Sequence, residues 1–170
     1  GKANALDTVI QAARILRDRG YREIRFILVG DGPEKPRLIG LSQALGLANV
    51  EFREPVPKTE IVRVLGEADA FIVQLGGSEV YRWGISSNKL FDFMAAGRPV
   101  FSSAEAPLNP VNEARCGFTI PPRNPEALAE AVIQLYQMSP EERAEMGKRG
   151  REYVEKYHDI RKLAAQLESV

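Results

Sequence analysis

Residues that build covalent or metal-based sites are scarce in this sequence. It has one cysteine, Cys116, and one histidine, His158, among 170 residues. A lone cysteine excludes an internal disulfide, and a zinc site needs a cluster of Cys or His ligands that the sequence does not offer. No arrangement of serine, histidine and aspartate points to a nucleophilic triad. We therefore expect no metal site and a solvated role for His158.

Net charge and long apolar runs are lacking as well. The 23 Lys and Arg residues equal the 23 Asp and Glu residues in number, so no overall field attracts nucleic acid or an anionic membrane. No apolar run approaches the roughly 20 residues of a membrane-spanning helix, and no signal-peptide pattern opens the chain. These absences predict a cytoplasmic protein without a nucleic-acid partner, in which any anionic ligand is held by local contacts.

Helical and strand patterns alternate along the first 120 residues. Two cap, proline and acidic first-turn signatures follow, at Asn124 and Ser139, and the second of these helices is strongly charged and expected to be mostly solvated. We expect Thr59 to cap the third helix. Apolar spacing predicts helices at about 6–20, 36–45, 59–68, 89–97 and 111–115, and strands at 24–29, 50–53, 70–74, 99–102 and 118–120.

This order of elements predicts an α/β fold. Strands joined through helices form a parallel sheet that is covered on both faces, and ligands bind at the carboxyl ends of its strands. Such a domain normally opens on a strand, whereas this chain opens on a loop and a helix, so the first strand is missing from the pattern. We predict one Rossmann-like domain over residues 1–170, with a doubly wound parallel sheet and a helical C-terminal tail.

The segment 82–100 is the most informative for function, because it joins a polar loop, a helix and a buried strand. The ammonium of Lys89 would lie at the helix N-terminus, where free N–H groups and a partial positive charge suit a phosphate. Asp92, one turn further on, could accept hydrogen bonds from a diol such as ribose. An ordinary solvated helix start is the alternative. The loop that would supply the amides is Gly84, Ile85, Ser86, Ser87 and Asn88.

Three other segments are weaker candidates for the same site. The turn at Gly30 and Gly32 follows a strand, but it lacks the third glycine of a dinucleotide fingerprint, and a plain tight turn is equally compatible with it. Val56 stands between two prolines, whose fixed backbone could direct its amide and carbonyl at a flat base, although a rigid connection is the simpler alternative. Lys2 precedes the first helix and could reach a diphosphate, or be a frayed terminus.

Taken in order, several motifs resemble the C-terminal half of the GT-B glycosyltransferases, specifically the large fourth family of retaining enzymes. The resemblance covers essentially the whole chain. The amino-acid sequence at 84–94 is similar to the corresponding segment in a branch of bacterial surface-polysaccharide enzymes that includes L-fucosamine-type aminosugar transferases. The motifs are Gly1-Lys2-Ala3-Asn4-Ala5-Leu6-Asp7, Leu28-Val29-Gly30-Asp31-Gly32-Pro33, Asn49-Val50-Glu51-Phe52, Val56-Pro57, Ala68-Asp69-Ala70, Met94-Ala95-Ala96-Gly97-Arg98-Pro99-Val100 and 121–131.

The resemblance implies a two-domain enzyme of which this chain is one half. This half would bind a nucleoside-diphosphate sugar, and we expect its carrier to be uridine diphosphate (UDP). An N-terminal half would bind a glycan or lipid-linked acceptor and supply the catalytic base, with peripheral association at the inner face of the membrane. The family retains anomeric configuration, usually without a metal and without any other cofactor.

The sequence departs from the family pattern at two places. Family members commonly carry two glutamates with seven residues between them, one near the donor sugar and one on the ribose, and this chain has Gly84 and Asp92 there. The basic pair at the start of the domain is represented by Lys2, with Asn4 at the other position. Ribose recognition by Asp92 and diphosphate binding by Lys89 remain expected. A non-catalytic nucleotide-binding or scaffold module of the same fold is the alternative.

Overall fold

The computed structural model describes residues 5–74, 88–103 and 109–157. Helices and strands alternate along these residues, which confirms the predicted α/β order. In chain order the elements are α1 (Leu6–Asp18), β1 (Phe26–Val29), α2 (Lys35–Ala44), β2 (Val50–Arg53), a 3₁₀ turn (Lys58–Glu60), α3 (Ile61–Gly66), β3 (Phe71–Gln74), α4 (Asn88–Ala95), β4 (Val100–Ser103), α5 (Pro110–Ala114), β5 (Gly117–Ile120), α6 (Pro125–Gln137) and α7 (Pro140–Tyr157).

All described strand pairs are parallel, as predicted. β1 pairs with β2, in a register that sets Phe26 opposite Val50. β4 lies between β3 and β5. Within the described residues the pairing therefore divides into a two-stranded and a three-stranded sheet, instead of the single sheet expected from the sequence. In the doubly wound order the first strand lies between the second and the fourth, and no described strand pairs at that position.

Helices cover the sheets on two faces and enclose two apolar clusters. One cluster joins α1, α6 and inward-facing residues of β1, β4 and β5, and contains the fully buried Leu16 and Leu128. The other lies between α4, α5 and strands β3 and β4, and contains Leu90, Met94 and Val100. Each fully buried leucine contributes about 1.5–3 kcal/mol through removal of its side chain from water.

The two predicted helix starts of the C-terminal tail are confirmed. The side-chain oxygen of Asn124 accepts a hydrogen bond of 2.9 Å from the amide of Ala127. Ser139 and Glu142 form a capping box, in which each side chain accepts a bond from the other residue's amide, at 3.1 and 2.7 Å. A proline stands in the first turn of α6, where no backbone donor is needed.

The prediction that Thr59 caps the third helix is wrong. A 3₁₀ turn occupies 58–60, and α3 begins at Ile61 with no side-chain cap. The turn forms because Pro57 fixes the incoming backbone and its carbonyl accepts the Glu60 amide at 2.9 Å. The apolar residues of α3 are also not buried, since Val62 is 81% exposed.

Helix α7 is largely exposed, as predicted, but one of its faces packs against α4 and α5. Gly147 approaches the backbone at the end of α4 so closely that a Cβ there would lie 2.1 Å from the Gly97 carbonyl oxygen. Gly150 lies next to Cys116 in the same way, with 3.0 Å to its Cβ. No described helix is both long and apolar enough to cross a bilayer.

Candidate functional site

Helix α4 presents two charged residues of the predicted site to solvent. It begins at Asn88, so Lys89 lies in its first turn, and Gly97 ends it in a left-handed conformation with φ of 70°. Lys89 and Asp92 are both exposed and, three residues apart, lie on the same side of the helix. Leu90 and Met94 are fully buried. Helical spacing of apolar residues predicted the packed side at Leu90, Phe91 and Met94, whereas Ala95 of the same pattern is exposed.

Packing fixes the position of α4. The Phe93 ring stacks on Phe71 of β3, with 4.5 Å between the ring centroids. The Gly97 amide donates to the Met94 carbonyl at 3.0 Å and closes the helix. Gly147 and Gly150 of α7 pack against the C-terminal end of α4. These contacts fix the middle and the C-terminal end of α4, and the fully buried Leu90 anchors its first turn.

Lys89 and Asp92 are exposed on α4 and have no side-chain partner in the described part of the chain. An ammonium beside a helix N-terminus attracts a phosphate, and a carboxylate one turn away accepts hydrogen bonds from hydroxyl groups. The arrangement can therefore bind a group that has a phosphate at one end and a diol at the other.

The turn at Gly30 and Gly32 follows β1, and the amides of both glycines already donate hydrogen bonds within the protein. The Gly30 amide donates to the Arg53 carbonyl at 3.3 Å, and the Gly32 amide donates to the Asp31 carboxylate at 2.7 Å. Gly30 has φ of 135°, and a Cβ at either glycine would meet no atom within 4 Å. A phosphate would have to compete with these bonds, so this loop contributes open space and shape more readily than free donors.

Val56 lies at the carboxyl end of β2, beside the Gly30 turn. It is half-buried, and its backbone N–H and C=O make no hydrogen bond to any described residue. Pro57 holds an extended conformation, with φ of −56° and ψ of 150°. The two backbone groups are thus fixed and unpaired, as base recognition would require. The remaining predicted site residues, Lys2, Gly84, Ile85, Ser86 and Ser87, lie outside the described residues, and so does the side chain of Asn88.

Two cavities border these loops. One, of about 480 Å³, lies beside the Gly30 turn, where Lys35 is neutralised by Glu54 at 2.8 Å. The other, of about 540 Å³, lies beside the start of α1 and is lined by Arg37 and Arg123. Both are shallow and open widely to solvent. Arg37 pairs with Glu34 at 2.7 Å, whereas no described carboxylate pairs with Arg123.

Sequence reasoning missed Arg123 and a set of buried polar side chains at the strand ends. Gln74 ends β3, and Ser102 and Ser103 end β4. All three are buried, and the polar atoms of their side chains find no partner among the described residues. Such atoms are costly to leave unpaired, about 1–3 kcal/mol each, so we expect their partners to lie outside the described residues. Their position at carboxyl strand ends was the available signal.

An ion-pair network joins β2 to α3 next to these loops. Arg53 donates to Glu51 and to Glu67, each at 2.7 Å, and Arg63 also reaches Glu67 at 2.8 Å. The hydrogen bond from Arg53 lowers the pKa of both glutamates, and the two carboxylates raise the pKa of Arg53 in return. The network joins β2 to α3 on either side of the connection that carries Val56.

Comparison with known proteins decides the family. The model of the family described as "Glycosyl transferases group 1" matches residues 2–138. The chain belongs to the group 1 glycosyltransferases. It is 31% identical to WcaL of Escherichia coli K12, a protein named as a colanic acid biosynthesis glycosyltransferase, over 97% of this chain and 42% of that protein. The chain thus spans less than half the length of this curated relative.

Solved structures give the same fold. Sucrose-phosphate synthase from Thermosynechococcus elongatus matches with a TM-score of 0.77 and 22% identity, over 99% of this chain and 42% of that one. HepE of Anabaena, solved in complex with UDP and glucose, matches with a TM-score of 0.75 and 18% identity, over 100% of this chain and 46% of that one. This group 1 glycosyltransferase domain has the α/β Rossmann-like fold, with parallel sheets, of GT-B C-terminal halves.

Proposed function

We propose that this chain is the donor-binding half of a retaining glycosyltransferase that uses a UDP-linked sugar. The observation that carries the proposal is the exposed pair of Lys89 and Asp92 on the first turns of α4, neither of which has a side-chain partner among the described residues. In this arrangement Lys89 and the helix N-terminus bind the diphosphate, and Asp92 binds the ribose hydroxyls. The group 1 family match and the UDP bound in HepE support this choice of ligand.

The rest of the proposed site comes from both sheets. Val56 offers its fixed backbone groups to the base, and the turn at Gly30 and Gly32 gives room beside it. Lys2 and the loop of Gly84, Ile85, Ser86, Ser87 and Asn88 complete the diphosphate contacts. No step in this scheme needs a metal ion or a cofactor beyond the donor.

The wider role that we propose is transfer of a sugar in surface-polysaccharide synthesis. An N-terminal half of the enzyme binds a glycan or lipid-linked acceptor at the inner face of the cell membrane and supplies the catalytic base. The name of WcaL supports a polysaccharide product. The similarity of the segment at 84–94 to aminosugar transferases supports an N-acetylaminosugar or hexose as the group transferred.

Calorimetry with UDP and uridine tests the donor site. If Lys89 binds the diphosphate, UDP binds more tightly than uridine, and Lys89→Ala weakens UDP binding by about 1.5–3 kcal/mol, the value of one charge-assisted contact. Uridine binding is unchanged. Lys148→Ala, which removes an exposed lysine of α7, is the matched control and leaves both affinities unaltered. Equal UDP affinity in the Lys89 variant and the parent chain would remove Lys89 from the site.

A second candidate function rests on Gly84. Because this position carries no carboxylate where the family commonly has a glutamate, the chain could be a non-catalytic nucleotide-binding module of the same fold. The two candidates differ in the longer protein: the enzyme hydrolyses or transfers the sugar of a UDP-sugar, and the module binds the nucleotide without turnover. Release of UDP from a UDP-sugar by the longer protein decides between them.

A further inference from the structure

Helix α7 approaches α4 through main-chain atoms. A Cβ at Gly147 would lie 2.1 Å from the carbonyl oxygen of Gly97 and 2.9 Å from the Cα of Arg98. Gly150, one turn further along α7, lies on the same side of the helix, and its added Cβ would be 3.6 Å from the carbonyl oxygen of Met94. Because glycine has no side chain that could adjust, direct contact between the two backbones sets the distance from α7 to α4.

Helix α7 is also tied to α5. The Nε of Arg149 donates a hydrogen bond of 3.0 Å to the carbonyl of Arg115, which ends α5. The hydroxyl of Tyr153 donates a hydrogen bond of 2.6 Å to the carboxylate of Glu113. These two bonds fix α7 against α5, so α7 presents α4 with a surface that is held from its other side.

Helix α4 connects this contact to the candidate site. Its eight residues span about 12 Å, and its internal hydrogen bonds make it move as one body. Leu90 in its first turn and Met94 in its last turn belong to the same buried cluster, and Val154 of α7 packs against that cluster. A displacement where α7 meets α4 therefore also displaces the first turn, which carries Lys89.

We propose that Gly147 and Gly150 are positioning residues for the donor site. Neither is among the residues that would touch the donor. Through backbone contact, they set where the first turn of α4 and Lys89 stand relative to the diphosphate. The inference rests on the proposed function, since it takes the start of α4 as the part that binds the diphosphate. It gives a role in binding to a helix that lies beyond the family match, which ends at residue 138.

Two ligands separate positioning from a general loss of stability. We expect Gly147→Ala and Gly150→Ala to weaken UDP binding on the order of tenfold, because the added methyl groups displace α4 and a charge-assisted contact loses its best geometry. Dideoxyuridine has no phosphate and neither ribose hydroxyl, so in the proposed site it touches no part of α4 and binds each variant as it binds the parent chain. A loss of folded protein would weaken the binding of both ligands by the same factor. Calorimetry measures the UDP affinity, and an NMR titration measures that of dideoxyuridine.

Leu128→Ala is the control for stability. Leu128 is fully buried in the cluster of α1 and α6, so its truncation leaves a cavity and destabilises the chain away from α4. At a temperature where all the variants are folded, both affinities stay unaltered in this control. The backbone amide resonances of Lys89 and Asp92 give a second readout, since they shift in the glycine variants and not in Leu128→Ala. If Gly147→Ala does not fold, Gly150→Ala provides the test, because its added Cβ makes a milder contact, 3.0 Å from the Cβ of Cys116.

Two outcomes would overturn the positioning role while UDP still binds the parent chain. One is an unchanged UDP affinity in folded Gly150→Ala, together with unshifted amide resonances at Lys89 and Asp92. The other is an equal loss of affinity for UDP and dideoxyuridine, which would identify a purely structural role. Absence of UDP binding by the parent chain would instead refute the proposed function, and this inference with it.

Discussion

Asp92 is the residue whose role the structure makes most open to test. It is exposed on α4, one turn from the helix start, with no described partner to hold it for structural reasons. A carboxylate in this position either binds a ligand or is only solvated. The ribose hypothesis and the solvated alternative predict different behaviour for a variant that keeps its size.

We expect Asp92→Asn to weaken UDP binding by about 1–2 kcal/mol, because a charge-assisted hydrogen bond is roughly twice as strong as a neutral one. Calorimetry measures this loss, and thermal unfolding shows a nearly unchanged midpoint. A uridine nucleotide that lacks both ribose hydroxyls is the matched control, since it binds the parent chain and the variant alike. A lower melting temperature with unchanged affinity would instead assign Asp92 a structural role.

Residue positions were predictable where local spacing decides them. Leu90 and Met94 recur at helical spacing, so their burial and the exposure of Lys89 followed from the sequence. The positions of Gln74 and Arg123 beside the candidate site could not be predicted from the sequence. A glutamine that ends an apolar strand is unremarkable until the structure shows that its side-chain amide is buried with no partner among the described residues. That property depends on the distances to the rest of the chain, which the sequence pattern does not contain.

At the level of elements, the contact between α4 and α7 depends on glycine. The predicted charge of α7 suggested a solvated helix, whereas Gly147 brings its backbone against Gly97. No local signal identified this contact, because glycine in a helix more often weakens it than marks a packing site.

We expect Gly147→Ala to destabilise the chain by about 3 kcal/mol or more, because the new Cβ would lie 2.1 Å from the Gly97 carbonyl oxygen and backbone has to shift to relieve the clash. Urea unfolding measures the loss. Gly40→Ala is the control: this glycine is also inside a helix, nothing lies within 4 Å of its added Cβ, and alanine there stabilises by up to about 1 kcal/mol. Equal stability of the two variants would contradict the close approach.

Element order was the most predictable feature, and the end of each element was less so. β2 was predicted with its observed bounds, 50–53, while β1 begins two residues later than predicted, at Phe26. The start of α3 was missed because Pro57 induces a 3₁₀ turn before the helix. Thr59 has a hydroxyl that could cap a helix, but it lies inside the 3₁₀ turn, so it does not precede the first residue of α3.

At the scale of the whole molecule, parallel pairing followed from the alternation of helices and strands, and the division into two sheets did not. The alternation predicts which strands are parallel, but which strands pair is decided by contacts between distant segments of the chain. The candidate site is divided in the same way, since Gly30 and Val56 follow strands of one sheet and α4 follows a strand of the other.

We expect the 170-residue chain to bind UDP but to transfer no sugar to any acceptor. Holding donor and acceptor together supplies on the order of 7–11 kcal/mol of a transfer barrier, and a half that binds only the donor cannot provide it. Incubation with a radiolabelled UDP-sugar and a panel of lipid-linked and glycan acceptors measures transfer, with the longer protein as the positive control. Sugar transfer by the isolated chain at the rate of the longer protein would refute the division of labour.

The packing of α7 also bears on where this domain should be cut. The family match ends at residue 138, two residues before α7 begins. A protein engineered to stop at that boundary would lose the helix whose glycines support α4, and would expose Met94 and Cys116 to solvent. The smallest piece suited to crystallisation or to exchange between related enzymes therefore extends at least to Tyr157, beyond the limit that sequence similarity to the family would suggest.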